Sequence, residues 1–177
     1  MQIIIKSKRI YLKKFKLSDV TRQYKKWMED PAISQFLIYK KSANISDLKK
    51  YVENLDNINY FFFKIVDIKS NKHIGNVKLG PLNYKTKSAN FGILIGDKNF
   101  HNMGIGSETT QLVTDFLFNF LNFKKIEFVC FSKNIQAIKM YEKLKFMKKK
   151  TTLKVKFKNE THNQIVFYKY NNVKKTN

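Results

Sequence analysis

The stretch Phe91-Gly-Ile-Leu-Ile-Gly-Asp97, followed by Lys98-Asn-Phe-His-Asn-Met-Gly104-Ile-Gly106-Ser-Glu-Thr109 and an apolar run to Phe123, decides how this chain folds. Its first piece is short, apolar and β-branched, the pattern of a buried strand. Its last piece sets Ile105, Leu112, Val113, Phe116, Leu117 and Phe120 at helical spacing, which predicts a helix with one wide apolar face. Between them, Gly104 and Gly106 stand at the helix start. Glycine there lets the backbone approach a ligand closely, and the first free N–H groups of a helix attract an anion. The stretch therefore reads as strand, anion-cradling loop, helix. A P-loop is excluded because no Gly-Lys-Ser/Thr follows. A dinucleotide fingerprint needs a tight turn directly after the strand and a third small residue at Thr109; here seven residues, Asp97 to Met103, intervene.

Working outward, Ile126 to Ser132 reads as a second buried strand, parallel to the first because a helix crosses between them. Asn134 caps the next helix, which turns Ala137, Ile138, Tyr141 and Leu144 inward. Upstream, Tyr60–Ile68, His73–Leu79 and Ala89–Ile95 are joined by polar turns and by Gly80-Pro81, and form an antiparallel meander. Arg9–Lys13 is an edge-type first strand. Ser18 is the expected N-cap of a helix carrying Val20, Tyr24, Trp27 and Met28 and stopping near Asp30-Pro31. Ser46 is the expected N-cap of another, with Leu48, Tyr51, Val52 and Leu55 as its buried stripe. Near the end, Leu153, Val155 and Phe157 alternate with lysines in a half-buried strand, and Gln164–Tyr170 is its hairpin partner across Asn159–His162. Residues 171–177 read as a disordered tail. The expected fold class is α/β, also describable as α+β: a single domain over residues 1–170, with a mixed central sheet of about seven strands and about four helices.

The 177 residues suffice for one domain with a sizeable core. Net charge is +22, yet Arg9 and Arg22 are the only arginines among 35 basic residues. Nucleic-acid recognition draws on Arg forks, so the lysines read as compositional drift that still favours anionic ligands. No run of apolar residues is long enough to cross a membrane, and the apolar patch at the start is too short for a signal peptide, which makes the cytoplasm the default location. Neither nucleic acid nor membrane is an expected partner. Cys130, the single cysteine, reads as a small buried hydrophobe.

His101-Asn-Met-Gly104-Ile-Gly106 resembles the Gln/Arg-x-x-Gly-x-Gly/Ala motif of the GCN5-related N-acetyltransferases, and Asn134-Ile-Gln-Ala137-Ile-Lys-Met-Tyr141-Glu-Lys-Leu-Lys-Phe146 is similar to their Asn-x-x-Ala-x-x-x-Tyr-x-x-x-Gly-Phe. Ser107-Glu-Thr109, and Trp27 before Asp30-Pro31, look like the branch that modifies ribosomal-protein N-termini. The resemblance implies a splayed pair of parallel strands with acetyl-CoA between them. Its pantetheine arm would lie on Ile93, Leu94 and Ile95. Its pyrophosphate would lie on the segment His101, Asn102, Met103, Gly104, Ile105, Gly106 and Ser107, with Asn134 and Tyr141 also at the cofactor. Three positions depart from the pattern: His101 for Gln or Arg, Lys145 for Gly, and Asn90 for a frequent carboxylate.

The resemblance further implies acetyl transfer from acetyl-CoA to a primary amine, with Tyr141 giving a proton to the leaving sulfur. For the base, His73 and Glu108 are the candidates, alongside a water chain or an amine that arrives neutral. No residues stand at metal-ligand spacing, so direct transfer without a metal is expected. The Gly75-Asn-Val-Lys-Leu-Gly-Pro-Leu-Asn83 stretch looks like family members that acetylate nucleotide-linked amino sugars; a protein N-terminal amine or another small amine is the alternative. From other classes, a basic nucleic-acid-binding module and a non-catalytic coenzyme A binder remain to be separated from an enzyme. A monomer or homodimer is expected.

Overall fold

A computed structural model describes residues 4–37, 44–157 and 160–171. Eight strands form one sheet: β1 (Ile4–Lys6), β2 (Ile10–Lys14), β3 (Phe61–Asp67), β4 (His73–Asn83), β5 (Ser88–Ile95), β6 (Lys125–Phe131), β7 (Met147–Phe157) and β8 (Glu160–Tyr170). Their order is β1-β2-β3-β4-β5-β6-β8-β7. Every neighbouring pair is antiparallel except β5 and β6. Those two are parallel because α4 (Ile105–Asp115) crosses between them, as the sequence predicts.

Strand periodicity separates the two faces. Phe91 of β5 and Ile126 and Phe128 of β6 pack with Ile105, Val113 and Leu117 of the α4 segment and Ile138 and Tyr141 of α5 (Ile135–Lys143). Leu94 packs on the opposite face with Tyr24, Trp27 and Met28 of α1 (Arg22–Glu29) and Leu48 of α3 (Ile45–Glu53). A short helix, α2 (Pro31–Ser34), follows α1 directly.

The structure corrects several expectations. Eight strands replace seven because Ile4–Lys6 pairs with β2, so Arg9–Lys13 lies one strand in from the edge, with Ile10 and Leu12 fully buried. Five α-helices replace four because Asp30-Pro31 starts a helix as well as stopping one: Asp30 Oδ1 accepts from Ala32 N–H, and Pro31 suits the first helical position. The caps shift to Thr21, which accepts from Tyr24 N–H, and to Asn44, which forms a reciprocal capping box with Asp47. Ser18 lies instead in a 3-10 turn, and Ser46 is inside α3. Tyr51, expected inside, is 44% exposed.

Phe120, expected on the buried stripe, is 63% exposed while Phe118 is buried. The helix widens into a π-turn over Phe116–Phe120, and the wider turn rotates later side chains off the original face. On β7, the outer strand, Leu153 is 47% exposed although the alternation predicts it inside, whereas Val155 on the same face is partly covered. The hairpin itself forms, with β8 beginning at Glu160. Within the 171–177 tail, residues 172–177 lie outside the described residues.

Candidate active site

Only Ser88–Lys125 and Ala89–Ile126 are in register between β5 and β6. Beyond them the two strands diverge, and the β6-facing edge of β5 from Asn90 to Ile95 has no ladder partner. A cleft of about 660 Å³ opens there, bounded by β5, β6, the start of α4, one face of α5 and, on the other side of the sheet, α2.

The loop ahead of α4 leaves the backbone amides at the helix start without helix partners. Gly104 has φ +77, a left-handed conformation that disfavours a side chain, and it is the N-cap of α4. The first helical hydrogen bond runs from Glu108 N–H to Gly104 O, so the N–H groups of Ile105, Gly106 and Ser107 have no partner within the helix. A Cβ on Gly106 would already stand 3.3 Å from Met140 Sδ, so the space over this turn holds backbone and little else. The loop is tied at both ends. His101 Nε2–H donates to Ile95 O at 2.9 Å, anchoring it to β5, and Gln136 Nε2–H donates to Asn102 Oδ1, anchoring it to α5.

Tyr141 lies where the diverging strands meet. Its ring is within 4.6 Å of Phe128, 6.2 Å of Phe91 and 5.4 Å of Phe167, centroid to centroid. Burial, with Cys130 adding to it, pushes the phenol well above its ordinary range, so the hydroxyl keeps its proton at neutral pH. No hydrogen-bond partner for that hydroxyl stands among the described residues, although Tyr141 lines the cleft. Cys130, on the same wall, is pushed up to about 11 by burial and stays a thiol.

Of the residues singled out from sequence, the cleft brings together Ile93, Leu94, Ile95, His101, Asn102, Gly104, Ile105, Gly106, Ser107, Asn134 and Tyr141. Asn134 is also a helix cap, its Oδ1 accepting from Ala137 N–H at 3.2 Å. Met103 is not in the wall; it is 54% exposed and its carbonyl accepts from Arg9.

His73 and Glu108 are outside the cleft lining as well. The His73 ring is edge-on to Trp27 at 5.0 Å and to Phe15 at 5.8 Å, and donates to Gly75 O at 2.9 Å. Burial holds its pKa below the ordinary value. Glu108 is taken up by Ser7 and Arg9. The walls missed by sequence reading are Gln35, Phe36 and Leu37 after α2, Val129 and Phe131 of β6, and Gln164 of β8. The Asp30-Pro31 cap was the available signal for the first group; the others depend on strand order.

Comparison with known proteins gives this geometry a family. A model of the acetyltransferase (GNAT) domain matches residues 9–147, most of the chain. The chain belongs to the GNAT acetyltransferases. The N-acetyltransferase p20 of Bacillus licheniformis is 23% identical over 146 residues, covering 80% of this chain and 81% of the relative. Among solved structures, a GNAT-family acetyltransferase from Bacillus anthracis superposes with TM-score 0.82 at 16% identity, covering 96% of this chain and 99% of that one. The spermidine N-acetyltransferase of Vibrio cholerae, in complex with CoA and spermine, superposes with TM-score 0.81 at 21% identity over 92% and 95% of the two chains. This GNAT chain is therefore an N-acetyltransferase that uses acetyl-CoA. Among the described residues no helix is long and apolar enough to cross a membrane.

Proposed function

We propose that this GNAT enzyme acetylates the primary amine of an acceptor that also carries anionic charge, a nucleotide-linked amino sugar being the best fit. Bound acetyl-CoA supplies the acetyl group as a thioester. The free amides of Ile105, Gly106 and Ser107 hold its pyrophosphate, and the unpaired edge of β5 at Ile93–Ile95 takes the pantetheine arm. The cleft, with its left-handed glycine and unpaired amides, fits that group. The amine nitrogen bonds to the acetyl carbon as the carbon–sulfur bond breaks, and the Tyr141 hydroxyl delivers its proton to the departing sulfur. The ammonium proton leaves to water, because His73 and Glu108 are each held elsewhere, and a proton from water returns to the Tyr141 oxygen to restore the hydroxyl.

One observation carries the acceptor assignment. Lys78 is directly opposite Gly92 on the face of the sheet that carries Leu94, and a Cβ at Gly92 would meet nothing within 4 Å. The Lys78 ammonium donates to the Tyr51 hydroxyl at 2.7 Å and lies 5.3 and 5.4 Å from the Tyr51 and Tyr60 ring centres. Among the described residues it has no carboxylate partner. An uncompensated cation between aromatic faces, beside open strand backbone, suits a phosphate with a base or sugar attached. It opposes a polycation such as the spermine bound by the Vibrio cholerae enzyme. Tyr60 stands at this lysine with its ring face toward the ammonium, whereas the Tyr84 hydroxyl donates to Ile58 O. The Trp27–Pro31 likeness to the ribosomal-protein branch makes a basic protein N-terminus the second reading.

Thiol release is to be measured with an amino-sugar nucleotide, a lysine-rich peptide and spermidine. The amino-sugar nucleotide is expected to give the highest kcat/KM. A higher value for the peptide or for spermidine overturns the acceptor assignment and leaves the acetyltransferase standing.

A further inference from the structure

The turn between β1 and β2 reaches over to the anion loop, and its contacts there are unusually complete. Ser7 Oγ–H donates to Glu108 Oε1 at 2.6 Å, and Arg9 N–H donates to the same oxygen at 3.2 Å. Arg9 Nε donates to Glu108 Oε2 at 2.6 Å, and Arg9 Nη2 stands 2.5 Å from it. The remaining arm of the fork, Nη1, donates to Met103 O at 2.8 Å. Nη2 is 3.6 Å from where a Gly104 Cβ would be. One guanidinium thus grips the residue just before the left-handed glycine and the side chain in the first turn of α4.

Two physical consequences follow. In a trans peptide the C=O and the next N–H point in opposite directions. Pinning Met103 O to Arg9 therefore turns Gly104 N–H away from Arg9, and Gly104 is a wall of the cleft whereas Arg9 and Met103 are not. The second concerns charge. A carboxylate in the first turn complements the helix dipole but repels a phosphate drawn to the same amides. Burial by itself raises the Glu108 pKa, but hydrogen bonds from Ser7 and Arg9 outweigh it and hold the group below its ordinary value, so the charge is present and needs an opposite one. In a chain whose other basic side chains are nearly all lysine, this position has one of two arginines. Only a planar fork spans both partners at once.

We infer that Arg9 is a positioning residue for the phosphate end of the acetyl-CoA site: it aims the loop amides and masks the Glu108 carboxylate from the pyrophosphate. This rests on the reading of the α4 start as the pyrophosphate cradle.

The test is calorimetric binding of CoA, which needs no acceptor, with thermal melting alongside to follow the fold. Arg9→Gln is expected to raise the Kd about ten-fold, because it frees the loop and bares Glu108. Arg9→Lys recovers only part of this, since an ammonium reaches one partner. Glu108→Gln, with Arg9 kept, tightens binding up to about three-fold. The double variant Arg9→Gln/Glu108→Gln recovers at least half of the loss in log Kd. A double variant as weak as Arg9→Gln overturns the masking role, and a Glu108→Gln Kd raised ten-fold does the same without requiring any Arg9 variant to fold. An unchanged Kd in folded Arg9→Gln overturns the inference altogether. Gly106→Val separates the two levels. If it weakens CoA while Arg9→Gln does not, the cradle stands and only Arg9 loses its role; if neither does, the cradle reading fails first.

Discussion

The cleft has two unlike walls. On the α4–α5 side the walls are mostly backbone: a left-handed glycine, free helix amides, and a loop tied by His101 to nearby β5 and by Gln136 to α5. On the α1–α3 side they are side chains from distant segments, Gln35 to Leu37, Val129, Phe131, Gln164 and the nearby Tyr51–Lys78 pair. The first wall is specified largely by local spacing, and on the proposed reading it would take the phosphate end of the cofactor. The second depends on which strands become neighbours, and its chemistry changes with single surface substitutions. One fold can therefore keep its cofactor while its acceptor drifts.

Substitutions on each wall test that division. The largest effect is expected at Tyr141, where the walls meet. Tyr141→Phe keeps the packed ring and removes a hydroxyl with no described protein partner, so kcat should fall roughly 10²-fold while CoA affinity moves little. A near-normal kcat would leave Tyr141 a packing residue.

Valine at two glycines gives the sharpest contrast. Gly106→Val, pushing into Met140, should weaken CoA binding about ten-fold, on the order of 1.4 kcal/mol, by calorimetry. Gly92→Val has room on an extended strand, and should raise acceptor KM roughly five-fold at unchanged CoA affinity, with loss of acceptor contacts as the cause. Equal effects of both variants on CoA would erase the distinction between the walls.

The smallest effect is expected at His73. Folding holds this ring neutral below its ordinary pKa, so the unfolded chain binds more protons once pH falls under about 6.5. Its contribution to stability is complete above that pH and is lost as pH falls toward the depressed folded value. His73→Gln should shrink the drop in Tm between pH 7.5 and 5.5, and kcat at pH 7.5 should stay within about three-fold. A larger loss of kcat would return His73 to the list of candidate bases.

The unequal legibility of the two walls has a physical source. The strand–loop–helix unit was readable because Gly104, Gly106 and the α4 stripe act within a few residues of one another, and Asn134 and Tyr141 lie on one helix by simple spacing. Extrapolated periodicity departs from the structure at Phe120 and Leu153. The repeat predicts a stripe running through to Phe120, but a π-turn is written in packing rather than in the repeat. The alternation in β7 predicts burial, but whether Leu153 is covered depends on which strand ends the sheet. Glu108 and His73 are candidate bases by residue type alone. Their partners, Ser7 and Arg9 for one and Phe15 and Trp27 for the other, are far away in sequence and invisible to spacing.

The brief β5–β6 ladder also makes this sheet something close to two. Two register pairs at one end join a five-stranded half to a three-stranded half, and beyond them the halves are held by rings, Phe91 against Phe128 at 4.5 Å above all. Ring contacts resist separation but do not set a register, so the amides of Asn90 to Ile95 that face β6 rather than β4 are the natural place for the fold to breathe. A ligand lying along that edge supplies the rungs the ladder lacks and works as a staple between the halves. At a hundred times its Kd such a ligand adds about 2.7 kcal/mol to stability, and the amides that gain protection from exchange should be those along the open seam.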